Sequence, residues 1–242
     1  MTQDVVAEIA ASGTLRAGLN LANFLLITGK TPDGDPAGVA PDLAREIAGR
    51  LGVKIAFVPY ASPGELADAL AEDAWDIGLI GAEPARAETI AFTAAYVEIE
   101  ATYLVPTGSA LKSIEQVDRP GVRIAISGRS AYDLYLSRNL EHAELVRAQG
   151  IAASRDLFVA EKLDALAGLR PALVTTAEEL PGTTVLEGRF TAVQQAVGTR
   201  RGNDTSAAFL RDFVEEAKAS GLVARLIERH GVTGRLSVAP PA

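Results

Sequence analysis

The chain of 242 residues contains no cysteine, one methionine, one tryptophan and two histidines. The missing thiols exclude disulfides, thiolate nucleophiles and thiolate-held metal. They leave the compartment open, because a chain without cysteine suits oxidising and reducing surroundings alike. His142 and His230 lie far apart and in no ligand spacing such as His-Glu-x-x-His, so both read as surface residues and no metal is expected. Aromatics make up only 5% of the chain, so a core drawn from its 48% hydrophobic residues must rest on Ala, Leu, Val and Ile. No run approaches the roughly 18–20 apolar residues that span a bilayer. Excess positive charge is absent as well: the net charge is −8, which argues against nucleic acid as a partner. The single basic cluster, Arg200-Arg201, reads as an exposed turn with Gly202-Asn203. The first residues, Met1 to Ile9, have neither a basic segment nor a long apolar one and do not read as a signal peptide. Two locations follow: periplasmic if an upstream leader was removed, cytoplasmic if Met1 is the native start.

What is present is an alternation of short apolar strands with amphipathic helices, the pattern of a mostly parallel α/β fold. Strands are expected at 15–19, 53–58, 76–80, 101–105, 121–126, 145–147, 172–175 and 193–198. A helix begins at Pro41-Asp42, carries Leu43, Ile47 and Leu51 on one face, and closes at Gly52. Ser62-Pro63-Gly64-Glu65 and Thr176-Ala177-Glu178-Glu179 have capping-box spacing. Helices are expected at 130–139, capped by Ser130, and at 157–166, with two more between Thr205 and His230. Thr31 to Pro36 is a turn-rich linker. Two α/β units in tandem predict residues 1–105 with 197–242 as one lobe and 106–196 as the other, joined through the strands near 101–105 and 193–198.

The residue that points to function is Arg86. It follows the apolar run Asp76 to Ile80 through the short loop Gly81-Ala82-Glu83-Pro84-Ala85 and precedes Phe92-Thr93-Ala94-Ala95-Tyr96. Backbone N–H groups at the carboxyl end of a strand, with a planar and permanently charged fork close by, suit a carboxylate.

These features resemble the family-3, amino-acid-type solute-binding proteins of ABC transporters, over most of the chain from about Gly13 to Gly231. The likeness rests on Gly38 to Gly52 (Gly-x-x-x-Asp-Leu-Ala-x-x-Ile-Ala-x-x-Leu-Gly), on Trp75-Asp76-Ile77-Gly78, and on Arg86 with the Phe-Thr-x-x-Tyr that follows. The resemblance implies a type II periplasmic-binding-protein fold. This is a two-lobed Venus-flytrap on two hinge strands, acting as a monomer, needing no cofactor and delivering a small carboxylate ligand to a membrane permease. It also implies that Arg86 clamps the carboxylate, helped by backbone donors of Gly81 and Ala82. From the second lobe, the helix start at Arg129, Ser130 and Ala131 would approach the same group.

The departures from the family pattern concern the ligand ammonium. Asn20 stands where amino-acid binders have a carboxylate, and Asn23 stands where they have a stacking aromatic, with Phe24 one place later. The second-lobe Asp is replaced by Gly168 or Leu169, followed by Arg170. An ammonium buried without a partner costs several kcal/mol. The expected ligand is therefore an organic acid, keto acid or dicarboxylate, and a dianion if Arg129 or Arg170 faces it rather than solvent. Asp164 reads as structural.

No Gly-x-Ser-x-Gly elbow occurs, and Gly29-Lys30-Thr31 fails as a phosphate loop because Phe24 stands in place of its first glycine. Glu83, beside Arg86, keeps a second possibility open, since the same fold includes dehydratases that use a carboxylate as general acid. A sensor that is not exported is a third.

Overall fold

The computed structural model describes residues 2–242, and Met1 lies outside the described residues. In chain order the elements are α1 (Thr2–Ile9), β1 (Thr14–Asn20), β2 (Gly29–Lys30), β3 (Pro36–Ala37), α2 (Val39–Leu51), β4 (Lys54–Tyr60), α3 (Pro63–Asp68), β5 (Ile77–Gly81), α4 (Pro84–Ala87) and β6 (Ile90–Pro106). A 3-10 turn at Ile114–Gln116 leads to β7 (Arg123–Ser127), α5 (Ala131–Asn139), β8 (Glu144–Ala148), α6 (Ile151–Ala160), β9 (Ala165–Leu169), α7 (Arg170–Glu179), β10 (Thr183–Val185) and β11 (Thr191–Arg200). The chain closes with α8 (Asp204–Ala219), α9 (Leu222–Arg229) and β12 (Ser237–Val238). It divides into two compact units, Met1–Glu98 with Gln194–Ala242, and Ile99–Val193. The chain passes from one unit to the other inside β6 and returns inside β11.

The sheet of the first unit is built on β1, flanked in parallel by β4 and β5, with β11 antiparallel on the far side of β5. The registers Asn20↔Tyr60 and Leu19↔Leu79 bring the carboxyl ends of β1, β4 and β5 to one edge. Gly18 and Gly78 are register partners, and together they open a slot for the only tryptophan. A Cβ on either glycine would lie 3.1 Å from the Trp75 ring, whose Nε1 donates to Leu66 O at 2.8 Å. Helix α2 covers one face of this sheet with Leu43, Ile47 and Leu51 and ends on Gly52 in the left-handed region. Ser62 caps α3, accepting from Glu65 N at 3.2 Å, while the Glu65 carboxylate takes the Ala61 N–H instead of the cap's own. β12 lies antiparallel on the last first-unit residues of β6, with Val238 beside Val97 and Ser237 beside Glu98.

In the second unit β7 is flanked in parallel by β8 and β9, and the later part of β6 runs antiparallel to β9, with Ala101 opposite Leu169. Leu104, Ala125, Phe158, Leu163, Leu166 and Leu173 form its core.

Two sequence expectations fail here. Residues 157–166 were expected as a helix, yet the helix α6 ends at Ala160 and Ala165 begins β9. Residues 172–175 were expected as a strand, yet they lie inside α7, so Thr176 to Glu179 is the last turn of that helix and not a cap. Every residue of β9 is buried, and an apolar run covered on all sides carries no period that separates strand from helix. β6 is also far longer than the 101–105 expected, starting at Ile90 within the signature that follows Arg86.

Candidate functional site

The edge formed by the carboxyl ends of β1, β4 and β5 is where an open α/β sheet binds ligands. From β5 the chain enters α4, a single turn started by Pro84, with Glu83 as its extended N-cap residue. Arg86 and Ala87 both donate their N–H to Glu83 O, at 3.0 and 2.9 Å. This turn swings the Arg86 side chain inward: the residue is 6% exposed, and its Nη1 donates to Gly81 O at 2.7 Å. It is thus no solvated surface arginine. Glu83 is half-buried. The expected donor role of Ala82 needs correction, because its N–H is committed to Gln194 O at 2.7 Å. Gly81 lies in register with Gln195 of β11, so it too belongs to the sheet.

The turn after β1 holds the other residues singled out in this unit. Asn20 Oδ1 accepts from Ala22 N at 3.1 Å, and Asn23 Oδ1 accepts from Leu25 N at 3.3 Å. Asn23 is buried, and its carbonyl takes the N–H groups of Leu26 and Ile27. These side-chain bonds to the backbone two residues on are what shape the turn. Phe24 is turned outward, 38% exposed, with the guanidinium of Arg235 over its ring at 5.4 Å from the centroid. Sequence reasoning missed Arg235, because nothing local marks a residue in the turn after α9 as a neighbour of one after β1.

Downstream, this turn is tied to two helices through a histidine read above as a surface residue. His230 is half-buried at the end of α9, its Nε2 2.8 Å from Asp42 Oδ2 and its Nδ1 3.3 Å from the Thr28 hydroxyl. Arg45 Nη1 holds the other Asp42 oxygen at 2.8 Å. Burial is the largest influence on Asp42 and pushes its carboxyl up, but the bonds from His230 and Arg45 together hold it below the ordinary carboxylate range. A carboxyl lowered by folding stabilises the fold above its unfolded pKa of about 3.9 and loses that contribution as pH falls through the folded value. Asp42→Asn should therefore lower the melting temperature at neutral pH and flatten its decline below about pH 4. Parallel acid limbs for the two proteins would show that the pair is not linked to folding.

In the second unit Ser130 caps α5 as expected, its Oγ accepting from Asp133 N at 3.1 Å. Arg129 is exposed, with φ at +60°. Its N–H donates to the buried Asp133 Oδ2 at 2.7 Å, and Arg147 Nε meets Asp133 Oδ1 at 3.0 Å. The N–H of Ser130 donates to Ser127 O at 3.3 Å, so two donors expected to face an anion serve the turn itself. Burial pushes the Tyr132 phenol up to about 12, while bonds with Ser130 and Ser127 pull the other way. Ala131, the first residue of α5, is buried. Arg170 is engaged within its own unit. Its Nε meets Glu100 Oε2 at 2.8 Å, and its two Nη atoms donate to the carbonyls of Leu186 and Gly188. These bonds brace the start of α7 against β6. Asp164 accepts the Arg123 N–H at 2.8 Å, a structural role. Among the described residues no group of three or more His, Asp or Glu side chains is placed to hold a metal ion.

The sequence profile of the bacterial extracellular solute-binding proteins, family 3, matches residues 24–233. A mutant of ArgBP from T. maritima has the same fold, with a TM-score of 0.74 and 22% identity over 94% of this chain and 99% of that one. An ancestral amino acid-binding protein, described as a precursor of cyclohexadienyl dehydratase, gives a TM-score of 0.73 and 25% identity over 93% of this chain and 98% of that one. Cyclohexadienyl dehydratase of Pseudomonas aeruginosa is 27% identical over 143 residues, 57% of this chain and 53% of that protein. The chain thus spans about half the length of that relative.

Proposed function

Because the chain belongs to the bacterial extracellular solute-binding proteins of family 3, we propose that it captures a small carboxylate-bearing solute lacking the α-ammonium of an ordinary amino acid. Arg86 carries this reading. Its guanidinium is buried at the ligand-binding edge of the sheet and fixed by Gly81 O, so the fork is already oriented when a carboxylate arrives, and little side-chain entropy is lost on binding. Asn20 supports the second half of the proposal, since its Oδ1 is turned onto Ala22 N and no carboxylate stands in its place. The solute is then passed to an ABC-transporter permease, and the protein works outside the cytoplasm as its family does.

A thermal-shift panel of amino acids and organic acids tests this. Ligand at about 100 times its Kd adds about 2.7 kcal/mol, so an organic acid should raise the melting temperature where the matching amino acid does not. A shift with amino acids alone overturns the proposal. The likeness to cyclohexadienyl dehydratase and the place of Glu83 beside Arg86 favour a second reading, an enzyme with Glu83 as general acid. Recovery of the stabilising acid chemically unchanged after long incubation excludes it.

A further inference from the structure

The side chains of the turn after β1 have hydrogen-bond donors to give and no carboxylate among them. Backbone N–H groups face the Oδ1 atoms of Asn20 and Asn23, which fixes both amides and leaves each Nδ2 as the end still able to bond. Residues 20–24 contain no Asp or Glu. Arg235 adds a cation, and among the described residues no carboxylate is within ion-pair distance of it. It is held instead by the Phe24 ring. A ring contact engages no oxygen acceptor, so N–H groups of Arg235 stay available to a carboxylate. Among the described residues, the exposed large apolar side chains of the first unit are Leu21 at 43% and Phe24 at 38%, and both belong to this turn. Apolar surface beside unused donors suits a ligand that has both a carbon chain and an acceptor group.

We propose that this turn and Arg235 read a second anionic group, so that the ligand is a dicarboxylate. One carboxylate goes to Arg86, as in the proposed function on which this inference rests. Phe24 and Leu21 pack the carbon chain, and Arg235 with the Asn20 amide takes the distal carboxylate. An ammonium at that place would meet amide donors and a positive charge, with no carboxylate to pair with it.

The test is calorimetric titration of the full chain, stripped of bound solute. The probes are the straight-chain diacids from malonate to adipate, their matched monoacids, and aspartate and glutamate. The best diacid should bind at least about tenfold more tightly than its monoacid, the factor that one charge-assisted contact supplies. Arg235→Gln should erase that preference and leave the monoacid's affinity where it was. Arg235→Lys keeps the charge without the planar fork and should retain part of the preference. Equal affinity for diacid and monoacid, or a loss in Arg235→Gln that falls on both alike, overturns the inference and leaves the proposed function standing. Binding of aspartate or glutamate without the diacids overturns both, whereas binding of no probe at all overturns the inference alone.

Discussion

Arg86→Ala should weaken binding of the captured carboxylate at least about a hundredfold, since a charge-assisted hydrogen bond contributes about 1.5–3 kcal/mol and a carboxylate left facing an empty site adds its own desolvation penalty. The substitution also removes a buried donor from Gly81 O, so the melting temperature should fall alongside. Arg86→Lys separates the two effects: it restores a positive charge but neither the planar fork nor the geometry that reaches Gly81 O and the ligand together. Titration should place the lysine variant between wild type and alanine. An alanine variant that folds and keeps wild-type affinity removes Arg86 from the site, and with it the proposed function.

The second large effect is on folding. Gly38 precedes α2 with φ at +150°, and a Cβ built there would lie 2.1 Å from Leu26 O and 2.8 Å from Leu26 C. The obstacle is backbone, so no change of rotamer relieves it. The same Leu26 carbonyl accepts the Ala40 N–H at 3.2 Å, which docks the turn carrying Asn23 and Phe24 onto the first turn of α2. Gly38→Ala should therefore cost about 3 kcal/mol or more, combining backbone strain with overpacking. It should also lower ligand affinity by displacing that turn. Gly34→Ala is the matched control: φ is +91°, but nothing lies within 4 Å of the added carbon. Its cost should be that of strain alone. Urea unfolding of the two variants side by side checks the difference, and equal midpoints would show that the approach of Leu26 to Gly38 is not a constraint.

Gly38 also illustrates what a sequence can reveal. It stands at the head of the Gly38–Gly52 pattern that pointed to the family, and the reason for a glycine there is a contact with Leu26 that the pattern does not contain. Elements that satisfy their own ends were readable: the Ser130 cap, the Gly52 stop and the apolar face of α2 are all local. The signature around Arg86 was readable because the short loop, proline and arginine adjoin in the chain. Features decided by distant residues were not. The role of Ala82 N–H depends on Gln194, and that of Arg170 on Glu100 and the Gly188 carbonyl. His230 looked like surface because Asp42 and Thr28 meet it only after α2 and α9 pack. β9 and α7 were exchanged because burial on every side erased the period in β9.

Trp75 has a practical use. It is the only indole in the chain, 1% exposed and set between Gly18 and Gly78 of the first unit. Its intrinsic emission therefore monitors the first unit alone, whereas far-ultraviolet dichroism sums over both. Following denaturation through the two channels at once tells whether the halves melt together or in sequence. Midpoints that coincide would mean that a lesion such as Gly38→Ala, made in one half, is felt throughout the molecule.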